Sequence, residues 1–266
     1  MGKWFKSGAP WIWMTGGAVS LSLVAVLGLL LLIGWRGLVY FWPHPIYEWQ
    51  LEDASGNKSV LIGEINDREM VPVERLRAAG QALEGEEREE ITRYLVKTGN
   101  REFVDLDFRW VLETDIKSRT QPAELAMVER TTNGNFYGYI TSVKEDGREL
   151  TQDMHPALQR VLALANALSE QANDLQKGDI GSINYQLEKL RLKERKAELE
   201  GELTDALKAD LAAQRQALND RYQVLEKELF SLRAQADRDA ITVKDMRGEQ
   251  VTMPMSKVLD VVWPND

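Results

Sequence analysis

The 266-residue chain contains no cysteine. That removes disulfides, thiolate metal sites and cysteine nucleophiles together. Histidine is nearly absent too: His44 and His155 leave little for imidazole-based metal or acid–base chemistry. His44 sits between two prolines and reads as a loop residue, and His155 precedes Pro156 at a helix start. No large basic block is present, and the net charge is −9. Nucleic-acid binding runs on Lys and Arg neutralising phosphates, so it is not expected. GxxxxGK[ST], GxSxG and HExxH are all missing, so ATP hydrolysis by a phosphate-cradling loop is not expected, nor are a nucleophile elbow or an HExxH zinc site. The chain is expected to be non-enzymatic, without cofactor or metal.

Carboxylates are abundant but unspecific. Asp105 and Asp107 fall on the polar side of an expected strand. The run Glu84, Glu86, Glu87, Glu89 and Glu90 lacks the alternating oxygen ligands and turn glycine of a Ca²⁺ loop. Both read as solvated surface.

Hydropathy is concentrated at one place. Positions 7 to 35 carry no charge, and Ala18 to Ile33 reads AVSLSLVAVLGLLLLI. About 20 apolar residues cross a ~30 Å hydrocarbon core. Trp4, Trp11 and Trp13 precede this run, and Trp35, Tyr40, Phe41 and Trp42 follow, as two interfacial belts. A cleavable signal peptide is the competing reading, but its apolar region is shorter and ends at a small-x-small site. Gly16 with Ser20, and Ala18 with Ser22, have the spacing of close helix contacts in membranes. Lys3 and Lys6 precede the span, whereas after Arg36 no base occurs until Lys58. The tail is therefore expected in the cytoplasm and the bulk outside it.

Residues 44–266 carry a net −12. The expected organisation is a cytoplasmic tail (1–10), a span with aromatic belts (11–42), a β-rich exported domain (43–152), a helical coiled-coil arm (153–239) and a returning β hairpin (240–266). The fold class is membrane-anchored α+β. Within 43–152, Tyr47–Asp53 with Ser59–Ile65, and Ala123–Glu129 with Phe136–Val143, read as hairpins around SGN and NGN turns. Phe103 to Leu112 alternates, putting Val104, Leu106, Phe108, Trp110 and Leu112 on one face. A short helix is expected at about Glu86 to Val96, stopped by Gly99.

In the arm, Leu158, Val161, Ala165, Leu168, Ala172 and Leu175 step by three and four. Lys177 to Ser182, with Gly178 and Gly181, reads as a break. A longer seam follows: Ile183, Leu187 and Leu190, then Leu211, Leu218, Tyr222, Leu225, Leu229 and Leu232. Midway it is interrupted, and apolarity slides to Leu199, Leu203 and Leu207. A continuous helix 183–239 would be about 85 Å long, with Gly201 as a bend. Such a helix outruns its shorter partner. Either it folds back near Gly201 or another protein covers the rest. Residues 188–239 hold 12 acids and 11 bases, the solvated flanks of a coiled coil.

The stretch KWFKSGAPWIWMTGGAVSLSLVAVLGLLLLIGWRGLVYFWP, Lys3 to Pro43, resembles the start of long phosphate-specific ABC transporter permeases of the PstA type. The similarity continues through YEWQLED, FRWVLETDI, the charged arm and the ITVKD…VTMPM hairpin. In that family the region is an extension holding the first transmembrane helix and a periplasmic insertion. The resemblance implies phosphate import at the bacterial inner membrane. The partners would be another permease subunit, an ATPase subunit reached through the permease core, and a periplasmic phosphate-binding protein. One span cannot build a translocation path, so the chain is expected to be a permease part without its core. The family gives no phosphate-binding residues to carry over. Two other architectures fit less well. A membrane-fusion-type adaptor carries two arms of similar length, against about 21 and 57 residues here. A single-span sensor needs a cytoplasmic output domain, and the tail is about ten residues.

Overall fold

The structure is a computed structural model that describes residues 8–40, 43–83, 85–104 and 106–266. It divides into two units, Met1–His44 and Pro45–Asp266.

The first unit is one helix, α1 (Ala9–Tyr40). Within its Pro10–Leu38 stretch, 18 successive residues reach a mean hydropathy of 2.5. It has no polar face, and its leucines and valines stand exposed on all sides. A helix apolar all round requires an apolar surrounding, which is compatible with a membrane anchor or a signal sequence. Trp11, Trp13 and Trp35 are exposed near its ends, and Tyr40 is its last residue. The expected belt residues Trp4, Phe41 and Trp42 lie outside the described residues.

The second unit is α+β and holds two antiparallel sheets. The first contains β1 (Ile46–Glu52), β2 (Lys58–Pro72), β3 (Glu90–Lys97), β4 (Phe108–Leu112) and β5 (Ile116–Thr120), in the order β4-β3-β2-β1-β5. A short helix, α2 (Val73–Ala78), joins β2 to β3. The second contains β6 (Leu125–Arg130), β7 (Phe136–Glu145), β8 (Arg148–Leu150), β9 (Ala240–Lys244), β10 (Gln250–Pro254) and β11 (Val258–Val262). Its order is β10-β9-β7-β6-β11, with β8 paired to β7. The hairpins at the SGN and NGN turns are present as β1–β2 and β6–β7, and the returning hairpin, whose strands flank Asp245–Gly248, as β9–β10.

The two sheets repeat one plan. Counting β6, β7, β9, β10 and β11 as strands one to five, both run four-three-two-one-five. In both, a 3-10 turn joins strands four and five, at Glu113–Asp115 and Met255–Lys257. Strand two carries a glycine under strand three in each. A Cβ at Gly63 would stand 2.3 Å from the Lys97 carbonyl oxygen, and one at Gly138 would stand 2.3 Å from that of Lys244. The same close backbone approach is thus built twice, and glycine is the residue that permits it. The second copy differs by a helical insertion between β8 and β9.

Two expectations about the first sheet are corrected. Residues 90–97 form strand β3, and the helix lies earlier, at α2. The segment ITRYLV is rich in strand-forming side chains, and the long second half of β2 offers it an edge, from Ile65↔Val96 to Pro72↔Glu90. Ile91 and Leu83 then cover Leu76 of α2. The alternating stretch is a strand only from Phe108 onward, and its even-numbered face is not the buried one. Leu106, Phe108 and Trp110 are exposed, whereas the adjacent Val111 and Leu112 are buried. The strand bends into the Glu113–Asp115 turn, so two successive residues reach the interior. Trp110 is covered instead by the Arg93 guanidinium, 4.1 Å from its ring centroid. Asp105 and Glu84 lie outside the described residues.

The sheets pack on one another through Ile46, Ile62, Leu125 and Tyr137, all fully buried. Polar contacts fix the pairing. The Tyr137 hydroxyl donates to Glu64, and the Tyr139 hydroxyl donates to Glu48 at 2.6 Å. Asn100, itself buried, takes a positive φ and pairs with the backbone of Tyr137. It accepts from that N–H at 2.7 Å and donates to that carbonyl at 3.1 Å.

Candidate functional site

Beyond its root, the inserted helical arm is the feature that the packing of the sheets does not explain. Its first helix begins as α3 (Met154–Leu175), passes through one π-helical turn at Gln176–Ile180, and continues as α4 (Gly181–Glu200). It is one uninterrupted helical run of 47 residues, about 70 Å long at 1.5 Å per residue. The expected break at Lys177–Ser182 is therefore not one. Gly178 and Gly181 each cost a helix about 1 kcal/mol relative to Ala, and burial of Ile180 and Ile183 beside them outweighs that. The irregularity survives only as the π turn, a form in which helices absorb strain.

The reversal occurs at Gly201 instead. This residue takes φ +73°, a left-handed conformation. The Glu202 N–H donates to the Ala197 carbonyl at 2.8 Å, closing the helix end. Thr204 then caps the returning helix α5 (Asp205–Ala236), accepting from the Leu207 N–H at 3.2 Å. Of the two outcomes left open by the sequence, the long seam folds back. The lengths are 47 and 32 residues, in place of the expected 21 and 57.

The apolar residues divide by partner. Leu158 and Val161 join Ala157 and Ala165 on the second sheet's core, with Phe136, Ile241 and Met255. This root explains why the first helix is the longer. Beyond it, Ala172, Ile180 and Leu229 form the buried seam, flanked by Leu175, Tyr222, Leu225 and Leu232. Leu168, Ile183, Leu190 and Leu211 are buried, and Leu187 and Leu218 are half-buried. Arg215 pairs with Glu194 at 2.5 Å and Arg233 with Gln176 at 2.6 Å, which sets the register of the hairpin.

The arm is held at its root by Asp239, which is buried. Its carboxylate accepts from the Asp146 N–H at 2.9 Å and from Arg238, and its carbonyl accepts from the Met255 N–H at 2.8 Å. His155 stacks on Trp263 at 4.2 Å beside a cleft of about 320 Å³ lined by Ile140, Met154 and Leu158. Among the described residues, no group of three or more His, Asp or Glu stands together as a metal site would require.

A second joint was invisible in the sequence. The Asn265 side chain accepts from the Ile46 N–H at 3.0 Å and donates to the Ile46 carbonyl at 2.7 Å and the Pro122 carbonyl at 2.9 Å. The start of β1, the link between the sheets and the segment after β11 meet there. A lone asparagine beside a Trp-Pro pair carries no signal of a partner 219 residues away.

Burial pushes the Tyr137 hydroxyl far above its ordinary pKa, aided by the Glu64 carboxylate. The same causes, with Glu48, raise Tyr139. The acidic run is a surface loop in part: Arg88 holds the Glu86 carboxyl at about 2. Burial lowers the Arg130 pKa, though Glu102 opposes it. Arg130 spends its donors on the Asn133 and Gly134 carbonyls, both at 2.9 Å, and on Glu102. These groups brace turns and the sheet interface.

No family model, no curated protein and no solved structure matches this chain.

Proposed function

We propose that the chain is the first membrane span and exported accessory domain of a phosphate-importing ABC transporter permease. It is a non-enzymatic part, with α1 in the bacterial inner membrane, the tail cytoplasmic and the sheets and arm periplasmic. Translocation and ATP hydrolysis belong to the permease core and ATPase, and a periplasmic phosphate-binding protein is the expected external partner. Phosphate specificity rests on the resemblance, whose most specific portion is Lys3–Pro43. The observation that favours an insertion domain is the Ile46–Asn265 joint. A domain inserted between two spans must begin and end at neighbouring points, and the start of β1 meeting the segment after β11 allows it.

The absence of cysteine makes a direct test simple. Single cysteines at positions 3 and 182, in separate variants, are treated in intact cells with a membrane-impermeant maleimide. Labelling at 182 and protection at 3 is expected, and the reverse pattern refutes the topology. Recovery of the phosphate permease and ATPase subunits with the tagged chain from phosphate-starved membranes is expected. Recovery of the chain without them, while both are present, refutes the transporter assignment.

A second reading gains from the fold. Two long antiparallel helices inserted between strands suit an adaptor of membrane-fusion type, and the arm is far less unequal than the sequence suggested. Crosslinks from the arm to an outer-membrane protein, with none to a permease, would select it.

A further inference from the structure

The distal half of the arm carries a second apolar stripe that its own partner helix leaves uncovered. Tyr185, Leu192 and Leu199 lie seven residues apart on α4 and are 62%, 53% and 72% exposed. The buried seam runs along a different face, through Ile183, Leu190 and Ala197. A seven-residue repeat is the spacing that a facing helix reads. The stripe spans 14 residues, about 21 Å.

The charges beside it select the occupant. The charged positions three and four away from the stripe residues, within the helix, are Glu188, Lys189, Arg195 and Lys196, so the rim is net positive. This stands out in a domain of net −12. Lys189 lies over the Tyr185 ring at 4.7 Å. Arg195 pairs with Glu198 and Lys196 with Glu200 in exposed i,i+3 and i,i+4 pairs, which are weak and exchangeable. A second copy of this chain, laid antiparallel about Leu192, would match Glu188 with Lys196. It would also set Lys189 against Arg195. A partner with acidic flanks meets all three bases favourably, and charge of this kind sets partner choice in helix pairs.

We propose that the Tyr185–Leu192–Leu199 face docks an acidic amphipathic helix of a partner protein, of about 15 residues with a seven-residue apolar repeat. The three apolar residues supply the contact, and Lys189, Arg195 and Lys196 select an acidic rim over a basic one.

The test uses the full chain in phosphatidylcholine nanodiscs and two fluorescent 21-residue helices. Both carry leucine at the same core positions; one has glutamate along its flanks and the other lysine. Saturable binding of the glutamate helix is expected, at least tenfold tighter than the lysine helix and weakening several-fold as salt is raised. Leu192→Asp, at an exposed position, should abolish it with helicity unchanged. Lys189→Glu with Lys196→Glu should exchange the preference. Equal binding of both helices, no binding of the glutamate helix, or binding indifferent to Leu192→Asp overturns the proposal. Self-association of the chain lost on Leu192→Asp also overturns it, in favour of a second copy.

Discussion

Replacing Gly201 with alanine separates a folded-back arm from a bent continuous helix by the sign of its effect. If the helix ran on through position 201, Ala would be the better residue by about 1 kcal/mol, and the variant would gain stability. In the hairpin the residue has φ +73°, and a Cβ there meets nothing within 4 Å. Crowding therefore plays no part, and only backbone conformation decides. The left-handed region costs a non-glycine residue roughly 1–2 kcal/mol. Part of that cost is offset because alanine restricts the unfolded chain more than glycine does. The expected net loss is about 1 kcal/mol, a melting-temperature drop of roughly 2–4 °C for a domain of this size. Circular dichroism at 222 nm on the full chain in detergent reads the global shift. Hydrogen exchange over residues 195–211 reads local opening at the turn, where the loss should concentrate. Gly201→Asn, which tolerates this conformation better, should cost less. A melting temperature raised by Gly201→Ala would refute the reversal at this residue.

Three further outcomes are expected. Gly63→Ala and Gly138→Ala should each cost about 1–3 kcal/mol or more in chemical denaturation, because both put a methyl group against the strand-three backbone; a neutral result at either site refutes the repeated plan. Asn100→Ala leaves the buried Tyr137 N–H and carbonyl without their partner and should cost about 2–3 kcal/mol by the same measurement; a loss under about 0.5 kcal/mol would show that water replaces the side chain. The folded-state pKa values of Tyr137 and Tyr139 are raised, so their contribution is complete below the unfolded value of about 10 and is lost as pH rises beyond it. Absorbance at 295 nm should show these two tyrosines ionising only with alkaline unfolding, and early ionisation of all seven would contradict the inter-sheet contacts.

What the sequence determined by itself was local. The 29 uncharged residues before Arg36 dictated a helix apolar on every side, since nothing in them could face water. The turn residues at Ser55–Asn57, Asn133–Asn135 and Asp245–Gly248 dictated three hairpins, because backbone preference is set within a few residues. The three-and-four spacing dictated the helices of the arm. Tertiary structure decided everything that depended on a distant partner. Lys177–Ser182 stayed helical because Ile180 had Leu229 and its neighbours to pack against and Ile183 is buried beside it, which outweighed two glycines. Segment 90–97 became a strand because the second half of β2 presented an open edge to it. The repeated plan is carried by little more than Gly63 with Lys97 and Gly138 with Lys244. These pairs are 34 and 106 residues apart, since the arm separates the second one. The Ile46–Asn265 joint lies beyond any periodicity, because a hydrogen bond between residues 219 apart is a property of the folded path and leaves no local pattern.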